Sequence, residues 1–414
     1  MSHLGCIALL CIPLLTAFSC DLFPGEKGGA EGPGAVSADI VWSRETGSGD
    51  LQPMAIRDGV LYYAESPTTI DGFTALDPVN GEIVWQDAGR GTAYSRPQFF
   101  SNGKVGWVNG NHFFLYNADF SFDKYVTFDD PGYLKVSEVT SFGTTVYLGT
   151  RDYGLVRFDI ATDFYEQGGA WYVQPETLYA NPAGGDAEKH WLPPTVQDGV
   201  LYGGVNPVWG QPGTFFAINL ANKSVLWENS SPDPGITRAG LRAWSDWPLT
   251  YLDGRLIVLD PIGFGIIDSA TGQILVDRGV YYAGGEYAGG YFYDGKVYYT
   301  NGSTDENEDT PNNIICMDTT TGEAVWMNSF PGSHGSNPVC YEGITYVFSQ
   351  DCLRVLDART GKLLGVDDDI RGDIWQIANI VTYGDLAIVK YMGRIYAVRM
   401  NFRTDGKGGL WKAN

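Results

Sequence analysis

Three kinds of side chain in this 414-residue sequence could carry familiar chemistry: thiols, imidazoles and clustered carboxylates. The six cysteines are Cys6, Cys11, Cys20, Cys316, Cys340 and Cys352, with no CxxC motif, no adjacent pair and no CxxCH haem signature among them. Their expected role in the body of the chain is packing within strands. The histidines are His3, His112, His190 and His334. The last three fall in different segments without zinc-ligand spacing, so each is expected to be a structural or surface residue and no metal site is predicted. No GxSxG elbow or phosphate-binding loop is present. The acidic stretch Ser303-Thr304-Asp305-Glu306-Asn307-Glu308-Asp309-Thr310 offers oxygen ligands but lacks the order and the glycine turn of an EF-hand, so a solvated loop is expected there. With 49 acidic residues against 27 basic ones the net charge is -22, which excludes a nucleic-acid footprint because phosphate binding needs a basic surface.

At the N-terminus, residues 7–18 form an apolar run too short for an ordinary membrane span, and it runs into Ala17-Phe18-Ser19-Cys20. Small residues at the positions a peptidase reads, followed by cysteine, resemble the lipobox of bacterial lipoproteins. That resemblance implies cleavage before Cys20, acylation of its thiol and new amino terminus, and anchorage in the bacterial cell envelope, with the outer membrane favoured. The segment departs from the pattern in lacking Lys or Arg before the apolar run, in Phe18 within the box, and in Asp21 just after the cysteine. Residues 1–19 are thus expected to be a lipoprotein signal peptide and 20–38, with Gly25, Gly28, Gly29, Gly32 and Gly34, a flexible tether. No later stretch is long and apolar enough to cross a bilayer, so the membrane is reached through lipid on Cys20.

The elements that must position any site are repeated. A hairpin turn ending in glycine recurs at Asp58-Gly59, Asn102-Gly103, Phe142-Gly143, Asp198-Gly199, Asp253-Gly254, Asp294-Gly295, Glu342-Gly343 and Tyr383-Gly384, at spacings of 40 to 56 residues. Asp-Gly and Asn-Gly suit tight hairpins because both residues tolerate positive φ, and strand-like runs such as Val60-Leu61-Tyr62-Tyr63 follow them. A second turn follows each hairpin, clearest in Asp77-Pro78-Val79-Asn80-Gly81 leading to Trp85 and Asp318-Thr319-Thr320-Thr321-Gly322 leading to Trp326. Asp268–Gly272, Asp357–Gly361 and Asn219–Lys223 with Trp227 are further copies, and Asn117 and Asp159 start weaker ones.

Two hairpins per repeat make four antiparallel strands, and eight such sheets bury their faces only by ringing an axis. The fold class is therefore all-β: an eight-bladed β-propeller of four-stranded blades over 39–403, with a tail at 404–414. The last repeat lacks a fourth strand, and Asp39-Ile40-Val41-Trp42-Ser43-Arg44 matches what is missing, so the N-terminal strand is predicted to close the final blade beside Tyr396.

These repeats resemble the pyrroloquinoline-quinone-type (PQQ-like) propeller family over roughly Asp39 to Phe402. One branch of that family is enzymatic and holds its quinone between a tryptophan and a vicinal disulfide beside a calcium cage; this sequence has no adjacent cysteines and is shorter than such enzymes, so no cofactor and no enzymatic activity are expected. The non-enzymatic branch includes the BamB lipoproteins of the outer-membrane barrel-assembly machine, whose lipobox, short linker and eight blades are similar. That resemblance implies a propeller scaffold for protein–protein interaction, docked on a membrane-protein partner. A different expectation concerns the residues just before each innermost strand, which should gather at the channel mouth: Arg96, His190, Trp191, Trp244, Asp246, Trp247, His334, Asn337, Trp375 and Gln376. Such a funnel would suit a sugar, peptide or aromatic ligand.

Overall fold

The structure is a computed structural model that describes residues 34–46, 54–65, 72–88, 95–109, 111–130, 135–180, 190–206, 213–230, 249–260, 263–279, 290–301, 312–330, 338–349, 352–371, 380–391, 393–405, 407, 409 and 410–413. The lipobox cysteine, the acidic stretch 303–310 and residues 20–33 of the expected tether lie outside them. Eight sheets follow one another along the chain. Blade 1 spans 55–88, blade 2 98–128, blade 3 135–179, blade 4 190–230, blade 5 250–279, blade 6 290–330, blade 7 339–367 and blade 8 380–399. Within each blade the strands pair antiparallel in chain order from the innermost outward.

The fourth strand of blade 8 is Asp39–Glu45, paired antiparallel with Arg394–Arg399 so that Trp42 lies opposite Ala397 and Ser43 opposite Tyr396. The two chain ends thus meet in one sheet, as the missing strand of the last repeat predicts.

Buried apolar residues sort into eight clusters, one at each blade–blade contact around the full circle. For example, Trp42, Leu386, Ile388 and Ala397 of blade 8 meet Met54, Leu61, Tyr63 and Leu76 of blade 1, whereas Tyr62, Ala64, Phe73 and Ala75 on the other face of blade 1 meet Val105, Trp107, Phe114 and Tyr116 of blade 2. Both faces of the second strand are covered, which is why Val60-Leu61-Tyr62-Tyr63 reads as a continuous apolar run instead of alternating.

The turns are positioned by backbone chemistry. At Asp58-Gly59, Asp198-Gly199, Asp253-Gly254, Asp294-Gly295 and Glu342-Gly343 both residues have positive φ, as a two-residue hairpin loop matched to strand twist requires. Three copies differ: at Asn102-Gly103, Phe142-Gly143 and Tyr383-Gly384 only the glycine is left-handed. Asn102 instead uses its side chain, accepting the Lys104 N–H at 3.2 Å, which leaves its backbone in the ordinary region.

In the second turn, the aspartate accepts two backbone N–H groups ahead of it. Asp318 Oδ1 takes those of Thr320 and Thr321, each at 2.8 Å. The closing glycine then receives an indole from the preceding blade. A Cβ on Gly81 would lie 2.6 Å from the Trp42 ring, one on Gly272 2.4 Å from Trp227, and one on Gly361 2.5 Å from Trp326. Each indole also donates its N–H at 2.9 Å to a carbonyl of the turn it covers: Trp42 to Pro78, Trp227 to Ser269 and Trp326 to Ala358. Asn229 and Asn328 add a side-chain bond to the carbonyls of Gly272 and Gly361. Where the glycine is replaced the contact adapts, and Trp85 stacks on Phe120, which itself holds φ 64.

Three sheets carry more than the repeat supplies. The segment expected to be a tether is engaged from Gly34 onward: Gly34–Ala35 runs parallel to the outer strand of blade 7, Val36 N–H donates to Val366 O at 2.9 Å, and Ala38 N–H donates to Asp367 Oδ2 at 2.6 Å. A hairpin of Phe164–Gln167 and Ala170–Val173, inserted within blade 3, crosses to blade 2 and adds its second strand parallel to Phe122–Phe128. In blade 4 both His190–Trp191 and Thr195–Gln197 pair with the second strand. The chain end beyond 403 is not a free tail, because Leu410–Lys412 pairs with Phe402–Thr404.

Gly361→Ala is expected to destabilise the protein by about 1–3 kcal/mol in denaturant unfolding, since the new methyl meets an indole as well as an unfavourable φ. Gly199→Ala, with open space around its Cβ, should cost only the backbone part, about 1 kcal/mol. Equal losses at the two sites would refute the stacking account.

Candidate functional site

The innermost strands of blades 1 to 4 leave a cleft of about 470 Å³ at the axis, lined by Arg57, Arg96, Gln98, Phe99, Thr140, Ser141, Phe142 and the Pro193-Pro194 step among others. Its walls are tied across blades. Gln98 Nε2 donates to the carbonyls of Arg96 and Val139, both at 3.0 Å. Ser141 Oγ donates to Phe99 O at 3.2 Å, and Thr195 Oγ1 donates to Leu249 O in blade 5. Pro97, Pro193 and Pro194 expose no backbone N–H, so carbonyls and side chains carry the polar character of this wall.

Two arginines enter this cleft in an otherwise acidic chain. The Arg57 guanidinium sits 5.7 Å from the Phe99 ring centre and 3.3 Å from the Asp58 carboxylate, an exposed pair of small energetic weight. Tyr62 backs the same wall, edge-on to Phe99 at 5.0 Å, and burial pushes its phenol above the ordinary value. The cleft can therefore hold a flat or anionic group between guanidinium planes and aromatic edges.

The residues expected at the channel mouth distribute as follows. Arg96 lines the cleft. Trp191 is 2% exposed and packs between blades 3 and 4 with Tyr147, Tyr179 and Phe216, in space left by Gly149, whose Cβ would fall 2.4 Å from the indole. His190 begins the same short strand. Trp244, Asp246, Trp247, His334, Asn337, Trp375 and Gln376 lie outside the described residues. The reading by position before each inner strand did not select Arg57, Phe99, Thr140, Ser141 or Phe142. The signal that finds them is their place in the inner strand itself, within the few residues that run into the glycine turn.

A second cleft, of about 620 Å³, lies at the closure seam and is lined by Asp39, Tyr341, Asp385, Arg399, Asn401, Arg403 and Lys412. Its charges are matched internally: Arg399 with Asp385, Lys412 with Asp39, and Arg403 with Glu342, each at 2.6 Å. Lys412 and Asn401 hold the Asp39 carboxyl below its ordinary value. This arrangement fastens the C-terminal hairpin to the closing strand.

Cys316, Cys340 and Cys352 are buried. Cys316 and Cys340 sit singly in strands and Cys352 lies just before one, at Leu353–Asp357; they do not form the vicinal pair that sandwiches a quinone in the enzymatic branch of the resembled family, so the residues present do not fit that cofactor. Burial pushes the Cys316 thiol up to about 11 and the Cys340 thiol higher still. Among the described residues no group of three or more His, Cys, Asp or Glu side chains is arranged to hold a metal ion, and no helix is long and apolar enough to cross a membrane.

Fold and strand order define an eight-bladed β-propeller of four-stranded antiparallel blades. A family model described as outer membrane protein assembly factor BamB matches residues 265–402. Among solved structures, the chain is similar to BamB from Moraxella catarrhalis at 13% identity, over 88% of this chain and 100% of that one, with a TM-score of 0.60. It is similar as well to Sqt1 of Saccharomyces cerevisiae (10% identity, 88% and 99% covered, TM-score 0.61) and to the quinohemoprotein alcohol dehydrogenase ADHIIG of Pseudomonas putida HK5 (14% identity, 91% and 77% covered, TM-score 0.60). At these identities the likeness is one of fold, which proteins of different activity share. No curated protein sequence matches the chain.

Because a buried thiol is shielded from the reagent, site-resolved mapping of iodoacetamide labelling at pH 8 should find Cys316, Cys340 and Cys352 unmodified in the folded protein and all three modified after denaturation. Rapid native labelling of any of them would contradict their burial.

Proposed function

We propose that this chain is a non-enzymatic cell-envelope lipoprotein, anchored through lipid on Cys20, whose propeller serves as a scaffold for protein–protein interaction in outer-membrane protein assembly. The observation that carries the reading is the match of the BamB assembly-factor model to 265–402, set within a ring whose sheet edges accept added strands. Two blades take such a strand from within the chain, at Gly34–Ala35 and Ala170–Val173. Outer strands of other blades carry exposed apolar side chains: Val225 and Leu226 in blade 4, Leu275 in blade 5, Val325 and Met327 in blade 6. An extended segment of a partner would find backbone donors and acceptors there, with apolar side chains alternating beside them.

Crosslinking in native membranes tests this directly, with a membrane-protein partner recovered from the wild-type chain. Cys20→Ala should move the protein from the membrane to the soluble fraction and abolish that crosslink. Recovery of the variant in the membrane fraction, or no crosslinked partner for the wild type, would count against the reading.

The axial cleft favours a second reading, a ligand-binding propeller for a peptide, sugar or aromatic compound. Its described lining contains Arg57 and Arg96 and no carboxylate, in a chain of net charge -22. A ligand bearing a carboxylate, such as a peptide C-terminus, meets that chemistry best. A C-terminal tripeptide library should then give a saturable change in tryptophan fluorescence that Arg96→Ala weakens about tenfold or more, the loss expected for one charge-assisted contact.

A further inference from the structure

The hairpin Phe164–Gln167 and Ala170–Val173 has two unlike faces. On one, Phe164 and Trp171 pack against the cluster between blades 2 and 3, and the Lys124 ammonium lies 3.9 Å from the Trp171 ring centre. That face anchors the hairpin. Strand alternation sends Tyr165 and Tyr172 to the other face, where the same cluster cannot use them. The hairpin's parallel pairing then brings Tyr172 level with Thr127, and Thr127 is level with His112, so His112, Thr127, Tyr172 and Tyr165 form a row across four adjacent strands. Tyr125 extends the same face one register step away, stacked on His112 at 4.8 Å and 29°. Tyr165 and Tyr172 form a second near-parallel pair at 5.8 Å and 26°. Tyr125 is 41% exposed and Tyr165 40%.

We propose that this shelf on the outer part of blade 2 binds a neutral polysaccharide chain. It lies away from the axial cleft and does not depend on the scaffold reading. A pyranose presents C–H bonds on its faces and hydroxyls on its rim, so it needs flat aromatic surface with polar groups at the edges. The row supplies both over about 14 Å, three inter-strand spacings. Its edge groups are the Tyr165 and Tyr172 hydroxyls, Thr127 Oγ1 at 3.4 Å from His112 Nδ1, and the Asp129 carboxylate, which accepts the Tyr165 hydroxyl at 3.4 Å.

Two alternatives fit less well. A polyanion is repelled by a chain of net charge -22. A cationic peptide calls for rings set steeply around a cation, whereas both pairs here are near-parallel. Glu166 pairs across from Trp171, on the anchored face, so it does not add charge to the shelf. Burial lowers the His112 imidazole, so it adds no positive charge to the shelf at neutral pH.

The test is isothermal titration of the full chain with cellohexaose, chitohexaose and maltohexaose, alongside hexalysine as the cationic probe. At least one hexasaccharide should bind saturably, and Tyr165→Ala and Tyr172→Ala should each weaken it by roughly three- to tenfold, the worth of one aromatic stack. Tyr165 is exposed and Tyr172 half-buried, so the unfolding midpoint of Tyr165→Ala should match wild type, and Tyr291→Phe, at a half-buried tyrosine in blade 6, should leave binding unchanged. Failure of all three sugars to bind, or binding indifferent to both shelf variants, overturns the proposal. Binding of hexalysine alone, lost in the shelf variants, overturns it in favour of a basic partner.

Discussion

The geometry of the ring depends on an indole laid against a left-handed glycine of the next blade. At Gly81, Gly272 and Gly361 the absent side chain is what lets the tryptophan ring approach. Removing such a ring from its buried contact would cost on the order of 3–5 kcal/mol, as for other large aromatic side chains. The hydrogen bond from each indole to a turn carbonyl fixes direction as well as distance, so each contact sets where the outer part of one blade sits on its neighbour. At the blade 5–6 contact Val276 occupies the position over Gly322, which preserves close packing while giving up the directional bond.

A chain of blades linked only to their neighbours is open until its ends join. Here the joining contact is of the repeated kind, because Trp42 of the closing strand covers Gly81 of blade 1 while its backbone pairs with blade 8. One short segment therefore fastens three blades: 34–38 lies on blade 7, Asp39–Glu45 completes blade 8, and Trp42 packs on blade 1. The C-terminal hairpin reinforces the seam through Leu410, which packs with Val36 beside the blade 7–8 cluster. Closure in this way leaves outer strands as the remaining sheet edges, and those edges are where added strands are found.

Much of the architecture was legible because the signals are local. Asp-Gly turns, the aspartate that ties down its own turn, and a tryptophan at fixed distance after the glycine each lie within a dozen residues. Less of the candidate site was legible. Arg96 was selected and lines the axial cleft, but Arg57, Phe99 and Ser141 come from three different blades and share a wall only once the ring has formed. Trp191 illustrates the reverse: its place before an inner strand suggested the channel mouth, and the missing side chain of Gly149 draws it into the space between blades 3 and 4.

By itself, the amino-acid sequence determined the number of blades, the turn positions and the identity of the closing strand, since each follows from backbone preferences and from the gap in the last repeat. Only the tertiary structure decided that the hairpin inserted in blade 3 belongs to the sheet of blade 2, that residues from Gly34 lie on blade 7, and that four inner strands enclose a cleft. Those pairings join segments distant in the chain or in different sheets, and they depend on which edges lie close together once every blade has been stacked, a condition no local pattern of residues encodes.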